Sequence, residues 1–221
     1  MAILIPEIRL QALIEELLEK IRVDDRTAID GGNESDSFLF RILDGNEIDG
    51  ISLLTQAREI LNKGDENRQK LETRLMFDRD RAQLPTIHIT LPSEGKGKEN
   101  AIGFGADGRN LITNSDGSIS HQYSRSFGTT YELAITSNDP IQVVIIYNII
   151  KSGFIAIADS LELSGMKIPD FSGGDVSINQ DLVPNVYLRA MRITLDYNYD
   201  VPTFRKIPNI DKINFDQATT L

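Results

Sequence analysis

Apolar residues recur at three- and four-residue spacing near the start of the chain, between Ile5 and Ile21. Acidic and basic residues fill the positions between them. This spacing predicts an amphipathic helix, with Pro6 in the first turn, where proline is tolerated. Residues 24–36 are polar and contain glycines, so we expect a loop there.

The next segments alternate or carry charge. Residues 38–42 alternate apolar side chains with Leu39 and Arg41, which predicts a short strand between two loops. A second helix is predicted after Gly50, with Ser52 as its N-cap, as far as Leu61. Residues 66–83 are dense in alternating charge, which favours an exposed helix with a solvated face.

Residues 84–91 predict a clear strand that ends at Pro92. Between Ser93 and Ser126 the composition shifts to Gly, Ser, Asn, Lys and Asp. Such a long stretch in a folded domain is usually functional or disordered. We therefore expect a long loop or hairpin excursion at about 93–126 with an outward role.

The most apolar stretch is Ile141–Leu163. It predicts the central buried helix, with Asp139 as N-cap and Pro140 at the first helical position. It also reaches about the minimum length that spans a bilayer, but polar residues such as Lys151 favour a buried helix over a membrane span. Gly165 and a Pro/Gly-rich turn follow.

The last predicted strand, Val186–Tyr199, separates two faces. One face carries Tyr187, Arg189, Met191, Ile193, Leu195, Tyr197 and Tyr199, and the other carries Leu188, Ala190, Arg192, Thr194, Asp196 and Asn198. We expect the first face to be buried and the second to be wet or to meet a partner. Arg192 is therefore a candidate inter-subunit contact.

Beyond Pro202 the apolar residues follow no steady period. A segment of this kind cannot bury itself alone, so 203–221 is expected to be an arm that docks on a neighbouring subunit or stays flexible. Its candidate inter-subunit contacts are Phe204, Ile207, Ile210 and Phe215. The rest of the chain, 1–202, is expected to be a single α/β (α+β) domain with a mixed or antiparallel sheet flanked by helices.

The 221 residues have a formal net charge of −10, so the surface as a whole repels nucleic acid and anionic lipid. The absence of cysteine excludes disulfides, thiol catalysis and thiolate metal sites. Acidic residues such as Glu7, Glu15 and Glu16 interrupt the N-terminal apolar stretch, which argues against a signal peptide.

Glycine-rich motifs give little support to a cofactor site. Gly103–Gly108 has the spacing of a dinucleotide fingerprint, but neither a buried strand before it nor a helix after it is predicted. Gly95–Lys98 lacks the spacer and the following Ser or Thr of a phosphate loop. We expect turns or loops at both positions, and no cofactor.

Metal and catalytic sites have equally little local support. Asp44–Gly50 and Asn114–Gly117 offer oxygen ligands without the acid series of a calcium loop, so turn chemistry explains them. His88 and His121 lie in different elements and lack two-histidine metal spacing, and His88 is expected on the wetter face of its strand. No catalytic or metal-binding residue is predicted.

Three segments, Leu84–Pro92, Ile141–Tyr147 and Val186–Ile193, resemble in texture and order the neck proteins of tailed bacteriophages, the head-tail connector and tail-terminator group. The resemblance implies an α/β structural subunit of the virion, assembled in the host cytoplasm. It would form a homo-oligomeric ring that contacts portal, tail-tube or other neck proteins, with DNA passing through the lumen without specific binding and without a membrane. That group offers no catalytic residues to carry over.

Two other classes remain open. A non-catalytic carbohydrate- or peptide-binding module would use Tyr123, Phe127, Tyr131 and the 103–117 loop as a recognition edge. An enzyme that uses His88 or His121 is the third interpretation.

Overall fold

The helices and strands that the sequence specifies are seen in a computed structural model, which describes residues 6–61, 71–75, 84–96, 108–113, 119–163, 166–175 and 186–202. In these ranges the α-helices are α1 (Pro6–Asp30), α2 (Phe38–Leu43), α3 (Leu53–Leu61) and α4 (Pro140–Leu163). The strands are β1 (Glu47–Ile48), β2 (Ile51–Ser52), β3 (Glu72–Leu75), β4 (Thr86–Lys96), β5 (Gly108–Thr113), β6 (Ile119–Ser137), β7 (Met166–Asp175) and β8 (Tyr187–Pro202).

The main sheet has the strand order β3-β4-β6-β8-β7. β3 pairs with β4 in parallel, and the other neighbours in this order pair antiparallel. β1 and β2 form a separate small hairpin, whose turn residues Asp49 and Gly50 both have positive φ, as a two-residue hairpin turn requires. The fold is thus α+β with a mixed sheet flanked by helices, which confirms the predicted fold class.

β4 and β5 pair with the same edge of β6, one after the other. Lys96, the last residue of β4, lies opposite Phe127, and Gly108, the first residue of β5, lies opposite Ser124. β8 pairs with the other edge of β6 without interruption from Ser137 to Gln122. The outer part of β6 is therefore the middle strand of a three-stranded ribbon, and part of the predicted 93–126 excursion is a β-hairpin.

The ribbon extends beyond the helical layer. β6 has 19 residues and is about 60 Å long at the usual rise per strand residue. α4, with 24 residues, is only about 36 Å long at the usual rise of a helix. β5 makes its main contacts with β6 rather than with a helix. The strands β5, β6 and β8 therefore project from the domain.

The two long helices begin and end for local reasons. In α4 the Ile141 amide donates to Asp139 Oδ1 at 2.8 Å, and Pro140 is the first helical residue, as predicted. α1 continues to Asp30, so the prediction of a loop from residue 24 was wrong. Asp25, on the inward face of that extension, is buried and paired with Arg58.

The prediction of a strand at 38–42 was also wrong, because this segment is helix α2. Ser37 Oγ accepts from the Phe40 amide at 3.1 Å, and Asp24 Oδ2 accepts from the Phe38 amide at 2.7 Å. These two bonds satisfy amides that the first turn of a helix leaves without partners. Leu39 and Leu43, four residues apart, then lie on the same buried face.

Three predictions of coil or helix are corrected by strand pairing. Within the charged stretch 66–83, Glu72–Leu75 is strand β3, not helix. β4 does not end at Pro92 but passes it through a register irregularity between Thr90 and Ser93. The Pro/Gly-rich stretch after α4 includes β7, whose Pro169 lies on a sheet edge, where proline removes no ladder bond from a neighbour.

The described helices pack on one face of the sheet. α4 contributes the centre of the core, with Ile145, Ile146, Ile149, Ile150 and Phe154 fully buried. By length and composition alone Pro140–Asp159 could cross a membrane. Here, however, α4 lies against β6, β7, β8, α1, α2 and α3, which is the position of a core helix, as predicted.

A partly buried ion pair links the helices α1 and α3. The Arg58 guanidinium donates to both carboxylate oxygens of Asp25 at 2.9 Å, and it also donates to Glu34. The hydrogen bonds from the guanidinium to Asp25 hold the pKa of Arg58 above its usual value. α3 is thereby tied to α1 and to the turn that follows it.

Candidate assembly surface

The sheet face that points away from the helices is the strongest candidate for a functional surface. We call it the outer face. Alternation along the paired strands defines its members, which are Glu72, Arg74, Thr86, His88, Thr90, Thr130, Glu132, Ala134, Thr136, Leu188, Ala190, Arg192, Thr194 and Asp196. The alternate residues of the same strands point into the core. The outer face is therefore rich in hydroxyls and charges. Only part of it is accessible, because the buried residues include Thr86, His88, Ala134, Thr136, Ala190 and Asp196.

The predicted separation of the two faces of β8 is confirmed for most of the buried face. It is confirmed only in part for the other face, where Ala190 and Asp196 are also buried. Met191, Ile193 and Leu195 are buried in the core. Tyr187, predicted to be buried with them, is an exception, because it lies at the start of the strand and is 44% exposed.

Arg192, predicted as an inter-subunit contact, lies on the outer face with its side chain 62% exposed. Its Nε donates to Glu132 Oε2 at 2.9 Å. Arg192 is thus placed on an accessible surface, and its role between subunits stays a prediction. The other predicted contacts, Phe204, Ile207, Ile210 and Phe215, lie outside the described residues.

Outer-face charges are paired at two positions. Besides Arg192 and Glu132, Arg74 donates to Glu72 Oε2 at 2.7 Å near the β3 edge. One row beyond Arg192 and Glu132, on the side away from Arg74, the hydroxyls of Thr130 and Thr194 share a hydrogen bond of 3.3 Å across β6 and β8. Of these charged side chains only Arg192 is exposed, whereas Glu132, Arg74 and Glu72 are partly buried.

Asp196 differs from these residues. It is only 6% exposed, and its Oδ1 has no hydrogen-bond partner. Across the sheet it lies in register with Gly128 on one side and Lys167 on the other. A buried carboxylate oxygen without a partner is uncommon, because its lost hydration is not replaced.

The two histidines are not brought together. His88 lies opposite Ala134, whereas His121 lies near the far end of the same strand, opposite Leu111. Thirteen residues of β6 separate these positions, which corresponds to about 40 Å. His88 lies on the polar face of its strand, as predicted, but this face is not wet at that position, since the His88 side chain is 3% exposed. A catalytic site that contains both histidines is excluded.

The aromatic residues proposed for a recognition edge have other positions. Tyr131 is fully buried, and the Phe127 ring stacks on Tyr197 with centroids 6.2 Å apart. The side chain of Tyr123 lies outside the description. Tyr131 and Phe127 thus serve as packing residues at the base of the ribbon, which removes two of the three aromatics from that hypothesis.

In the described ranges no group of three or more His, Cys, Asp or Glu side chains could hold a metal ion. The glycine fingerprint 103–108 lies outside them except for Gly108, which begins strand β5 rather than a helix. A dinucleotide pyrophosphate requires a helix N-terminus at this point.

Sequence reasoning found Arg192 but missed Asp196 as a special residue. Both are polar residues on the same face of β8, and their sequence pattern is the same. The difference arises from the neighbouring strands, because Glu132 lies beside Arg192 and a glycine lies beside Asp196. No signal in the sequence of β8 alone reports these neighbours.

Comparison of the chain with models of protein families and with curated proteins finds no match.

Proposed function

We propose that this protein is a structural subunit of the virion of a tailed bacteriophage, a neck protein that assembles into a ring and joins the capsid or portal to the tail. Three segments, Leu84–Pro92, Ile141–Tyr147 and Val186–Ile193, resemble the connector and terminator group, which suggests this class. The observation that carries the proposal is the three-stranded ribbon of β5, β6 and β8, which projects beyond the helical layer.

The architecture suits assembly for a physical reason. In the described part of the chain, helices cover one face of the sheet, and the outer face presents paired charges and hydroxyls. The ribbon of β5, β6 and β8 offers a projecting surface, and adjacent copies can cover it. Acidic composition, with a net charge of −10, would keep DNA from adhering to the lumen of such a ring.

Native mass spectrometry and negative-stain electron microscopy of the purified chain, alone and with portal and tail-tube proteins of the same phage, test this function. We expect closed rings of a single stoichiometry. Depletion of the protein in an infected cell should then yield separate heads and tails. A monodisperse monomer at high concentration, with or without those partners, would overturn the proposal.

A further inference from the structure

The ribbon of β5, β6 and β8 carries different residue types on its two faces. Directly opposite residues of paired strands share a face, so the register assigns each ribbon residue to one side. We call the side continuous with the buried face of the sheet the inner ribbon face. Its aliphatic residues are joined by three basic residues and two tyrosines, namely Arg109, His121, Arg125, Tyr123 and Tyr199. It contains no acidic residue, whereas the opposite side is mainly serine, asparagine and glutamine.

The inner ribbon face begins where the helical layer ends. α4 is the described helix with the main contacts to β6 and β8, and it ends at Leu163, three residues before Met166, which pairs with Tyr197. The next row on this side is Arg125 opposite Tyr199. A three-stranded sheet with apolar and aromatic residues on one face needs another element packed against that face.

An exposed stripe on α1 has the complementary character. Its members recur every three or four residues and are all exposed, so they lie along one side of the helix: Ile8, Ala12, Glu15, Glu19 and Val23. Ile8 and Val23 are each 53% exposed, and the glutamates lie between them. The stripe is about 22 Å long at the usual helical rise. The inner ribbon face, from residue 125 to residue 119 of β6, is about 20 Å long.

The α1 helix of the same chain is too far away to cover the inner ribbon face. Gln11 Nε2 donates to the Thr73 carbonyl oxygen at 3.0 Å. The register places Thr73 in the row of Ile135, by way of Ile87. Fourteen residues separate Ile135 from His121, which corresponds to about 45 Å along β6. An α1 helix that covers this face must therefore belong to another copy.

Resting on the proposed function, we infer that the inner ribbon face of one copy packs on the exposed α1 stripe of a second copy. The basic residues of the ribbon then meet the glutamates of the stripe, and its tyrosines and aliphatic residues meet Ile8 and Val23. Such charge complementarity fixes the partner and the register of an interface. Because the two surfaces differ, the contact is head-to-tail, which is the type that closes into rings.

Nucleic acid is the other ligand that a basic and aromatic strand surface can take. The net charge of −10 opposes its approach, whereas an acidic helix of the same chain is present wherever two copies meet. The observations therefore favour a second copy as the occupant.

Crosslinking tests the contact directly, because the chain has no cysteine of its own. A chain with Ala12→Cys on the stripe and His121→Cys on the inner ribbon face is treated with a short bismaleimide. We expect covalently linked dimers and larger species on a denaturing gel, with a 12–121 link identified by mass spectrometry. Gln122→Cys, on the opposite face of the ribbon, replaces His121→Cys as the matched control and should lower the yield at least fivefold.

Charge reversal tests the complementarity. Arg109→Glu combined with Arg125→Glu should reduce the yield of the 12–121 link at least tenfold, because the ribbon then repels the stripe. Glu15→Lys combined with Glu16→Lys should reduce it to the same extent. The chain that carries all four changes should recover at least half of the original yield.

The control for charge reversal changes two exposed acidic residues on other elements, Asp44→Lys and Glu59→Lys. It should leave the link yield within twofold. Circular dichroism at low protein concentration checks that each variant is folded. Arg109→Gln with Arg125→Gln, which removes the charges without reversing them, supplies the test if the glutamate variant does not fold, and should lower the yield at least threefold.

The outcomes separate the inference from the function. Rings that form without a 12–121 link, or with a link that charge reversal does not weaken, overturn the inference and leave the ring function standing. A 12–121 link that adds no mass on the denaturing gel joins residues of one chain and also overturns the inference. Links that build open chains but no closed ring support the contact and overturn the ring. If neither rings nor links form at high concentration, both proposals fail.

A fluorescent single-stranded oligonucleotide tests the other ligand. We expect no binding to the wild type at physiological salt. Binding that Arg109→Glu with Arg125→Glu weakens at least tenfold, without a 12–121 link, would assign the inner ribbon face to nucleic acid and overturn the inference.

Discussion

Tyr131 is fully buried, and its hydroxyl has no hydrogen-bond partner. Burial, followed by the negative charge of Glu7, raises the pKa of Tyr131 well above its usual value. The unfolded chain ionises this phenol at about pH 10, while the folded protein keeps it neutral. The contribution of Tyr131 to stability is therefore complete below pH 10 and is lost as the pH rises above it.

Tyr131→Phe removes the hydroxyl and keeps the ring. At pH 7 we expect the free energy of unfolding to be unchanged or slightly higher, because an unpaired buried hydroxyl is removed. Above pH 10 the wild type should lose up to about 1.4 kcal/mol per pH unit more than the variant. Urea unfolding at pH 7, 10 and 11 measures both effects. Parallel pH dependence in the two proteins would show that Tyr131 ionises in the folded state.

Buried polar residues mark the limit of sequence prediction at this scale. The burial of Met191 and Ile193 could be predicted, because apolar residues at alternate positions share a face. The burial of His88 and Asp196 could not, because it depends on which residues neighbouring strands place beside them. Arg192 was found as an exposed surface residue for the same reason that His88 was misplaced: both lie on the polar face of a strand.

The helices α1 and α4 approach each other closely at Gly153. A Cβ built on Gly153 would lie 2.6 Å from Leu17 Cδ2, and Leu17 is itself buried. Glycine in a helix interior costs about 1 kcal/mol relative to alanine, so its presence here reflects the space that Leu17 occupies. This contact sets the distance between the two longest helices.

The effect of Gly153→Ala on the free energy of unfolding should therefore change sign when Leu17 is replaced by a smaller residue. In the wild type we expect a loss of about 1 kcal/mol, because overpacking outweighs the gain in helix propensity. Leu17→Ala alone should cost about 2 to 5 kcal/mol, and in that background Gly153→Ala should be stabilising. Chemical denaturation of the wild type, the two single variants and the double variant measures this cycle. Ala156→Gly, at an exposed position of α4, measures the contribution of helix propensity alone. Equal effects of Gly153→Ala in both backgrounds would contradict the packing explanation.

Elements whose own sequence carries a strong helix or strand pattern were predicted. Elements that form only by pairing with strands distant in the sequence were not. α4 has a long apolar run, an N-cap at Asp139 and Pro140 after it, all visible in the sequence. β3 and β7 have no comparable signal, because they are strands only by virtue of ladders with β4 and β8. α2 was mistaken for a strand because its caps, Ser37 and Asp24, outweigh a short alternating pattern.

For the whole molecule, the described core is complete before residue 203. The last ladder partner in β8 is Pro202, and the buried apolar cluster ends at Tyr197. The division into 1–202 and 203–221, predicted from the loss of periodicity, stays a prediction, because 203–221 lies outside the described residues. The relation between copies cannot be predicted from one chain, because the proposed ring would depend on surfaces that no single chain completes.

Truncation after Pro202 should accordingly leave folding intact and weaken assembly. We expect circular dichroism and the melting temperature to match those of the full chain, because no described core residue is removed. The yield of rings in native mass spectrometry should fall at equal protein concentration. A melting temperature lowered by more than about 4 °C, which corresponds to more than about 1 to 2 kcal/mol at this size, would place the segment in the core of its own subunit.

The succession of β4 and β5 along one edge of β6 has a practical consequence for labelling. The chain leaves that edge at Lys96 and rejoins it at Gly108, three positions further along β6, about 10 Å away. Any peptide or small domain whose ends are about that far apart can occupy this interval without changing the pairing on either side. A fluorescent or affinity reporter inserted there would label the protein without altering the sequence at either end of the chain.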